Sequence, residues 1–139
     1  AEDALGHPAH MDYRAVPSCI FTLPEAAGVG MTDEQAKAAG YEVITGTFAL
    51  PNNGKAVAYG ETDGFVKIIA EAKHKAILGM HVVGPHASDL VLEGSLAIQM
   101  EATIDEIEHT IHPHPTLGES IHEAALAAVG RPLHLPARK

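Results

Sequence analysis

The sequence has few cysteines and few basic residues, and both shortages exclude classes of protein. Its 139 residues include a single cysteine, Cys19, which excludes an internal disulfide, a CxxC redox pair and a cysteine-rich zinc site. Nine Lys and Arg stand against eighteen Asp and Glu, which gives a formal net charge of -9. Binding to a nucleic-acid backbone requires a basic face. We therefore expect no nucleic-acid partner.

Long apolar runs and a glycine-rich phosphate loop are also missing. The wholly apolar stretches are only a few residues long, so we expect neither a membrane span nor the apolar region of a signal peptide. No glycine fingerprint follows a predicted strand and opens a helix, and Gly28-Val-Gly30 is too short for one. We expect an acidic cytoplasmic domain that is not itself a nucleotide-binding domain.

The residues that are present suit one domain. Apolar residues make up 46% of the chain, which is enough to fill a core at this length. Residues 1–12 contain two histidine-bearing turns and no periodicity, and we predict a linker or terminal segment there. Residues 13–139 are predicted to form the domain.

The predicted elements place most strands before the main helices. Strands are predicted at 18–23, 26–29, 41–50, 65–70 and 77–83, the last two as a hairpin, and helices at 33–39, 88–100, 104–109 and 117–129. Capping-box patterns at Thr32, Thr103 and Thr116 indicate three helix starts. Because no βαβ alternation occurs, the predicted fold class is α+β, a mainly antiparallel sheet with helices packed on one side.

The segment with the most chemical content is His112-Pro-His114-Pro-Thr116-Leu-Gly-Glu119. Its prolines stiffen the loop that carries both histidines. The glutamate of a capping box points back toward the residues before the helix, so Glu119 is aimed at His114. A carboxylate on one ring nitrogen fixes the tautomer and leaves the other nitrogen free as acid or base. His114 and Glu119 are therefore the predicted catalytic pair for proton transfer.

Other interpretations of this segment stay open on the residues alone. Glu119 can simply complete its capping box, and His114 can be an exposed turn residue between two prolines. His112 with His114, and Glu119 with His122, have spacings found in metal sites, but no second helix repeats the pattern, so no metal is assigned. Otherwise His109 and His122 are expected to face solvent, and His112 to be a structural loop residue.

The same residues carry a family resemblance. His114-Pro-Thr-Leu-Gly-Glu119, preceded by His112, resembles the C-terminal signature of the pyridine nucleotide-disulfide oxidoreductases, most closely the dihydrolipoamide dehydrogenases. Residues 16–30 resemble the opening of the same domain, and residues 64–68 and 77–84 resemble its central hairpin. The similarity covers about Tyr13 to Arg131 in the right order. It implies the interface (dimerisation) domain of such an enzyme.

The resemblance also implies a shared active site in a homodimer. Full-length members hold FAD and NAD in two further domains, so this chain alone is expected to bind neither cofactor and to be inactive. The histidine matching His114 deprotonates a dithiol, here that of a lipoyl domain, at the partner subunit's disulfide, and its backbone carbonyl touches the partner's flavin. The residue matching Glu119 orients that histidine. Phe21 and Thr22 match a strand near the flavin of their own subunit.

Two alternatives remain within this resemblance. One is a glutathione reductase-like enzyme or another disulfide reductase of the family, although glutathione reductases usually lack a leucine at the place of Leu117. The other is a dimeric module that docks the subunit-binding domain of a 2-oxo acid dehydrogenase acyltransferase. Pro113, where many relatives have alanine, and Gly118 depart from the family pattern without removing a functional group.

Overall fold

A computed structural model describes residues 1–135 and arranges five strands in one antiparallel sheet. The last four residues of the predicted domain, 136–139, lie outside the described residues. The strands are β1 (Ser18–Ile20), β2 (Glu25–Gly30), β3 (Val43–Ala49), β4 (Phe65–Glu71) and β5 (Ile77–Gly84), in the spatial order β1-β2-β5-β4-β3. Each neighbouring pair is antiparallel, and β4 and β5 form the predicted hairpin.

Five α-helices occur within the same residues. They are α1 (Asp33–Ala38), α2 (Gly54–Tyr59), α3 (Ala87–Gln99), α4 (Ile104–His109) and α5 (Glu119–Ala128). The predicted capping boxes are present at Thr32 and Thr103. Short 3-10 helices lie at Asp3–Leu5, Tyr13–Ala15 and Leu50–Asn52. In the described part of the chain, every helix is too short or too polar to cross a membrane.

The core lies between one face of the sheet and helices α3 and α5. Alternate residues of the central strands are fully buried against these helices, among them Ile68 of β4 and Met80 of β5. Gly94 lets α3 approach the sheet closely, since a Cβ there would lie 2.7 Å from the Met80 Cβ. A Cβ at Gly46 of β3 would overlap the backbone of α5. Glycine at these two positions therefore sets how closely the helices approach the sheet.

The predicted α+β class is confirmed, with the two long helices on the same face. The short helix α1 lies at the opposite face, because Asp33 at its start pairs at 2.7 Å with the Lys67 ammonium. Lys67 alternates along β4 with the core residues Val66 and Ile68, so its side chain points away from the core.

The predicted start of the last helix is wrong. Helix α5 begins at Glu119 rather than Leu117, and its N-cap is Gly118. The Thr116 hydroxyl donates to the Pro113 carbonyl at 2.7 Å instead of accepting the Glu119 backbone N–H. The second hydrogen bond of the predicted capping box is present, because Glu119 Oε2 accepts the Thr116 backbone N–H at 2.9 Å. The Glu119 carboxylate thus still points back over the loop.

Candidate functional site

The structure brings His114 and Glu119 into contact. His114 Nδ1 lies 2.9 Å from Glu119 Oε1. An ionised carboxylate can only accept hydrogen bonds, so Nδ1 carries the hydrogen and Nε2 carries a lone pair. The His114 side chain is 80% exposed and that of Glu119 is 28% exposed. The free nitrogen is therefore open to a substrate, while the carboxylate behind it is held by the helix start.

The charge on Glu119 is fixed by its neighbours. Burial raises the pKa of this carboxyl, but the Thr116 backbone N–H and the His114 ring lower it by more, so the pKa lies below its usual range. Glu119 is then ionised at neutral pH and stabilises a proton held on the His114 ring. Chemically, this pair can accept a proton at Nε2 and return it.

Asn53 holds the downstream end of the loop. Its side chain is buried, and its amide nitrogen donates to the Thr116 carbonyl and to Ser120 Oγ, both at 3.0 Å. Its amide oxygen accepts the backbone N–H groups of Lys55 and Ala56 and so caps α2. Sequence reasoning missed this role because Pro51-Asn-Asn-Gly54 indicates only a turn, and the partners lie 63 and 67 residues away.

His112 holds the upstream end of the loop. Its Nε2 lies 2.9 Å from Glu93 Oε1, its Nδ1 lies 3.0 Å from the Thr110 carbonyl, and its side chain is 7% exposed. The hydrogen bond to Glu93 raises the pKa of the His112 ring, although burial opposes it. The sequence predicted that His112 is a structural loop residue, but it did not predict that Glu93 is its partner. One signal was available, since Glu93 is the only charged residue of α3 after its first turn.

The expectation that His122 faces solvent is wrong. The residue is half-buried, its ring stacks on His112 with centroids 5.4 Å apart, and its Nε2 donates to the Glu108 carbonyl at 3.1 Å. His109 is exposed as expected. Within residues 1–135, no three His, Cys, Asp or Glu side chains are placed to hold a metal ion. His112 is unsuited to that role because both of its ring nitrogens already have partners.

Phe21 and Thr22 share no hydrogen bond with His114 or Glu119. They belong to the connection between β1 and β2 rather than to a strand, which corrects the sequence-based placement. Phe21 is 77% exposed, and the Thr22 hydroxyl donates to the Pro24 carbonyl at 2.7 Å. Strand β1 forms one edge of the sheet, whereas α5 packs on β3 and β4 at the other edge. Their contact with a flavin stays a prediction.

Helix α3 carries an exposed apolar stripe, hereafter the α3 stripe. It consists of Leu92, Leu96 and Met100, which are 68%, 60% and 70% exposed. Met100 is the C-cap residue of α3. Residues four apart lie on one face of a helix, so the three side chains form one surface. Glu93, which binds His112, is the sequence neighbour of Leu92 on the same helix. Contiguous exposed apolar surface of this kind marks an interaction site in many proteins.

Comparison with known proteins gives one consistent family. Residues 16–125 match the model for the pyridine nucleotide-disulphide oxidoreductase, dimerisation domain. A dihydrolipoyl dehydrogenase from Bacillus subtilis is 51% identical over 128 residues, which make up 92% of this chain and 27% of that protein. The dihydrolipoyl dehydrogenase 2 of Haloarcula marismortui is 46% identical over 134 residues, which are 96% of this chain and 28% of that protein.

The fold also resembles that of a solved structure. The crystal structure of LpdA from Mycobacterium tuberculosis matches with a TM-score of 0.81 and 34% identity, over 89% of this chain and 27% of that one. The chain thus spans between a quarter and a third of the length of these relatives. With a family model covering most of its residues, this chain belongs to the dimerisation-domain family of the pyridine nucleotide-disulphide oxidoreductases.

Proposed function

We propose that this chain is the interface domain of a homodimeric, FAD- and NAD-dependent dihydrolipoyl dehydrogenase. In that role it supplies His114 and Glu119 to the disulfide and flavin site of the partner subunit. The observation that carries the proposal is the contact of His114 Nδ1 with Glu119, which leaves an exposed Nε2 as the base. The curated relatives at 43% to 51% identity, which are named dihydrolipoyl dehydrogenases, favour a lipoyl dithiol over glutathione as substrate.

A base at this position suits dithiol chemistry. A thiol with a pKa of about 8.5 is mostly protonated at neutral pH, whereas the thiolate is the species that attacks a disulfide. His114 Nε2 takes the proton from the substrate sulfur, and Glu119 stabilises the imidazolium that forms. The same pair returns the proton when a thiolate leaves. These steps need only the two side chains of this chain and a thiol within hydrogen-bond reach.

Residues 1–135 do not form a dinucleotide-binding fold for FAD or NAD. The strands of residues 1–135 pair antiparallel throughout, so the described region lacks the parallel βαβ unit with a glycine-rich loop that binds dinucleotides. We therefore assign both cofactors to other domains of the full-length protein. Flavin and nicotinamide supply hydride and electron transfer there.

A second copy of this chain is the proposed occupant of the α3 stripe. The family model describes a dimerisation domain, and the stripe is an apolar surface on a core helix. Twofold symmetry brings the same patch of both subunits together. Since Glu93 and His112 tie the loop to α3, this arrangement puts the His114 loop beside the interface, where it can reach the partner subunit.

The test is His114→Ala in the complete flavoprotein. We expect dihydrolipoamide oxidation to fall by roughly 10²- to 10⁴-fold, because the base is lost. Diaphorase activity, in which NADH reduces an artificial acceptor, needs no dithiol base and should persist. His74→Gln, on the exposed turn between β4 and β5, is the matched control and should leave both activities unchanged. Equal loss of both activities in His114→Ala, or loss of neither, contradicts the proposal.

The two alternatives are tested separately. Reduction of glutathione disulfide by NADH or NADPH distinguishes a glutathione reductase-like enzyme, since that enzyme would oxidise the reduced nicotinamide with glutathione disulfide as acceptor and would not oxidise dihydrolipoamide. Docking of an acyltransferase's subunit-binding domain is tested by titrating such a domain into the flavoprotein dimer. Absence of binding at micromolar concentration removes that partner.

A further inference from the structure

His112 joins three elements at one buried point. Its ring forms hydrogen bonds with Glu93 of α3 and with the carbonyl of Thr110 at the end of α4. The same ring stacks on the ring of His122 of α5. The side chain is 7% exposed, whereas His114, two residues later, is 80% exposed. The loop is thus fixed to the helices at His112 and left open to solvent at His114.

The partners of His112 also define its charge. A backbone carbonyl and a carboxylate both accept hydrogen bonds, so each ring nitrogen is matched only if it carries a hydrogen. This arrangement favours the imidazolium form of the ring, with Glu93 as its counter-ion. Four further titratable residues line the same pocket as the ring, namely Glu108 and His109 of α4, Glu123 of α5, and His134. The groups that act on the ring most directly are Glu93 from α3, and His122 and Glu119 from α5. Both carboxylates favour the cation, and the Glu93 hydrogen bond is the larger effect.

We propose that His112 and Glu93 form a positioning pair that fixes the His114 loop to helix α3 and places a positive charge beside Glu119. The inference rests on the proposed function of His114 and Glu119. His112 is not a base, since neither of its nitrogens is free. Its first effect is geometric, because a loop anchored at both ends holds His114 Nε2 at the distance that proton transfer requires.

The second effect is electrostatic. A cation at position 112 opposes a second positive charge on the neighbouring His114 ring. Replacement of His112 by a neutral side chain removes that opposition and leaves the Glu93 charge uncompensated. The pair of His114 and Glu119 then holds its proton to higher pH. A residue that only filled space at position 112 would have no such effect on the pH dependence of catalysis.

The experiment compares three variants of the complete flavoprotein in dihydrolipoamide oxidation. In His112→Gln we expect kcat to fall on the order of 10- to 100-fold with little change in KM, because the base is displaced. The acidic limb of its kcat profile should move to higher pH, while diaphorase activity stays at the wild-type level. Glu93→Ala should lower kcat similarly. Glu93→Gln keeps an oxygen that accepts from His112 Nε2 and should recover most of the loss.

Each outcome distinguishes the two proposals. A wild-type kcat and pH profile in His112→Gln, with dithiol oxidation abolished in His114→Ala, overturns the positioning pair and leaves the proposed function standing. Equal loss of dithiol and diaphorase activities in His112→Gln shows a purely structural role and also overturns it. Dithiol oxidation that survives in His114→Ala overturns the proposed function itself.

A second measurement uses only the wild-type protein. Imidazole ¹⁵N chemical shifts of the wild-type flavoprotein, labelled at histidine, report whether each ring nitrogen carries a hydrogen. At neutral pH we expect at least one buried histidine with both nitrogens protonated. If every buried histidine is neutral, the charge assigned to His112 is wrong and the positioning pair is overturned.

Discussion

At the scale of single residues, the two histidines of the loop differ in their hydrogen-bond partners and in their exposure to solvent. His114 has one carboxylate partner and one free nitrogen in solvent, which is the arrangement of a base. His112 has two acceptors and is buried, an arrangement that favours the protonated, positively charged ring. The same side chain therefore acquires different chemistry two positions apart, because its hydrogen-bond partners rather than its identity fix its protonation.

The Glu119 carboxylate should contribute through its charge as well as its shape. Glu119→Gln keeps an oxygen for the Thr116 backbone N–H, but a carboxamide cannot stabilise the imidazolium on His114. We expect dihydrolipoamide turnover to fall by about 10-fold or more, and by less than in His114→Ala. Steady-state kinetics of both variants at one pH measure the difference. An effect as large as that of His114→Ala would mean that Glu119 does more than orient the ring.

The His112–Glu93 pair should also give the fold a pH-dependent contribution. The pKa of His112 is raised in the folded state, so the stabilisation is fully present below the unfolded value of about 6.5 and is lost as pH rises through the folded pKa. The difference in free energy of unfolding between wild type and His112→Gln should therefore be larger at about pH 5.5 than at about pH 9. Urea denaturation at both pH values measures it, and a difference that does not shrink with rising pH contradicts the assignment.

At the scale of secondary-structure elements, contact between α5 and β3 positions the helix that begins with Glu119. Gly46 of β3 makes this contact possible, since a side chain there would overlap the backbone at Ala124 and Ala128. Helix α5 cannot shift outward without exposing buried residues such as Ile121. The depth at which α5 packs therefore also sets where Glu119 meets the loop.

Gly46→Ala tests this packing. We expect a loss of about 3 kcal/mol in the free energy of unfolding, because the added methyl group meets backbone atoms that cannot rotate away. Gly54→Ala is the matched control, since nothing lies within 4 Å of a Cβ at that position. It should leave stability unchanged or raise it by up to about 1 kcal/mol. Equal stability of the two variants in denaturant unfolding would show that α5 can move away from β3.

The helix starts show which local patterns suffice to predict an element. Thr32 and Thr103 cap their helices as predicted, because both partners of a capping box lie within the same four residues. Thr116 has the same pattern, yet its hydroxyl bonds the Pro113 carbonyl, while Asn53 occupies the Thr116 carbonyl. A competing acceptor in the stiff loop, and a partner from another element, thus override the local preference.

At the scale of the whole molecule, the α3 stripe connects association with chemistry. Leu92 and Leu96 face outward on the helix whose Glu93 anchors the His114 loop through His112. A dimer formed through this helix therefore brings the loop to the partner subunit as a consequence of the same packing. Under the proposed function, a lone subunit has the base but lacks the disulfide that the base serves.

Leu96→Glu should separate the subunits. A carboxylate in an apolar interface loses its hydration without gaining a partner, so we expect the dimer dissociation constant to rise by at least about tenfold. Dihydrolipoamide turnover per subunit should then fall on dilution, in parallel with the dimer fraction. Sedimentation velocity and activity over a concentration series measure both quantities.

Val57→Glu is the matched control for this change. Val57 is 56% exposed on α2, outside the α3 stripe, and the same kind of substitution there should leave association unchanged. Dissociation in both variants would indicate a general effect of added negative charge. An intact Leu96→Glu dimer would place the interface elsewhere on the chain.

The sequence by itself determined the features whose causes are local. The β4–β5 hairpin, the caps at Thr32 and Thr103, and the direction of the Glu119 side chain each depend on residues a few positions apart. The family resemblance likewise rests on short, ordered motifs, and the comparisons confirm the family. These features could be predicted because the backbone geometry of a turn or a helix end fixes which side chains meet.

Only the tertiary structure decided the surroundings of the histidines. Glu93 lies 19 residues before His112, and Asn53 lies 63 residues before Thr116, so neither partnership follows from spacing along the chain. Each depends on how α3 and α2 are placed against the loop once the core has formed. Burial then keeps these hydrogen bonds formed, because a buried polar group that lacks a partner lowers the stability of the folded state.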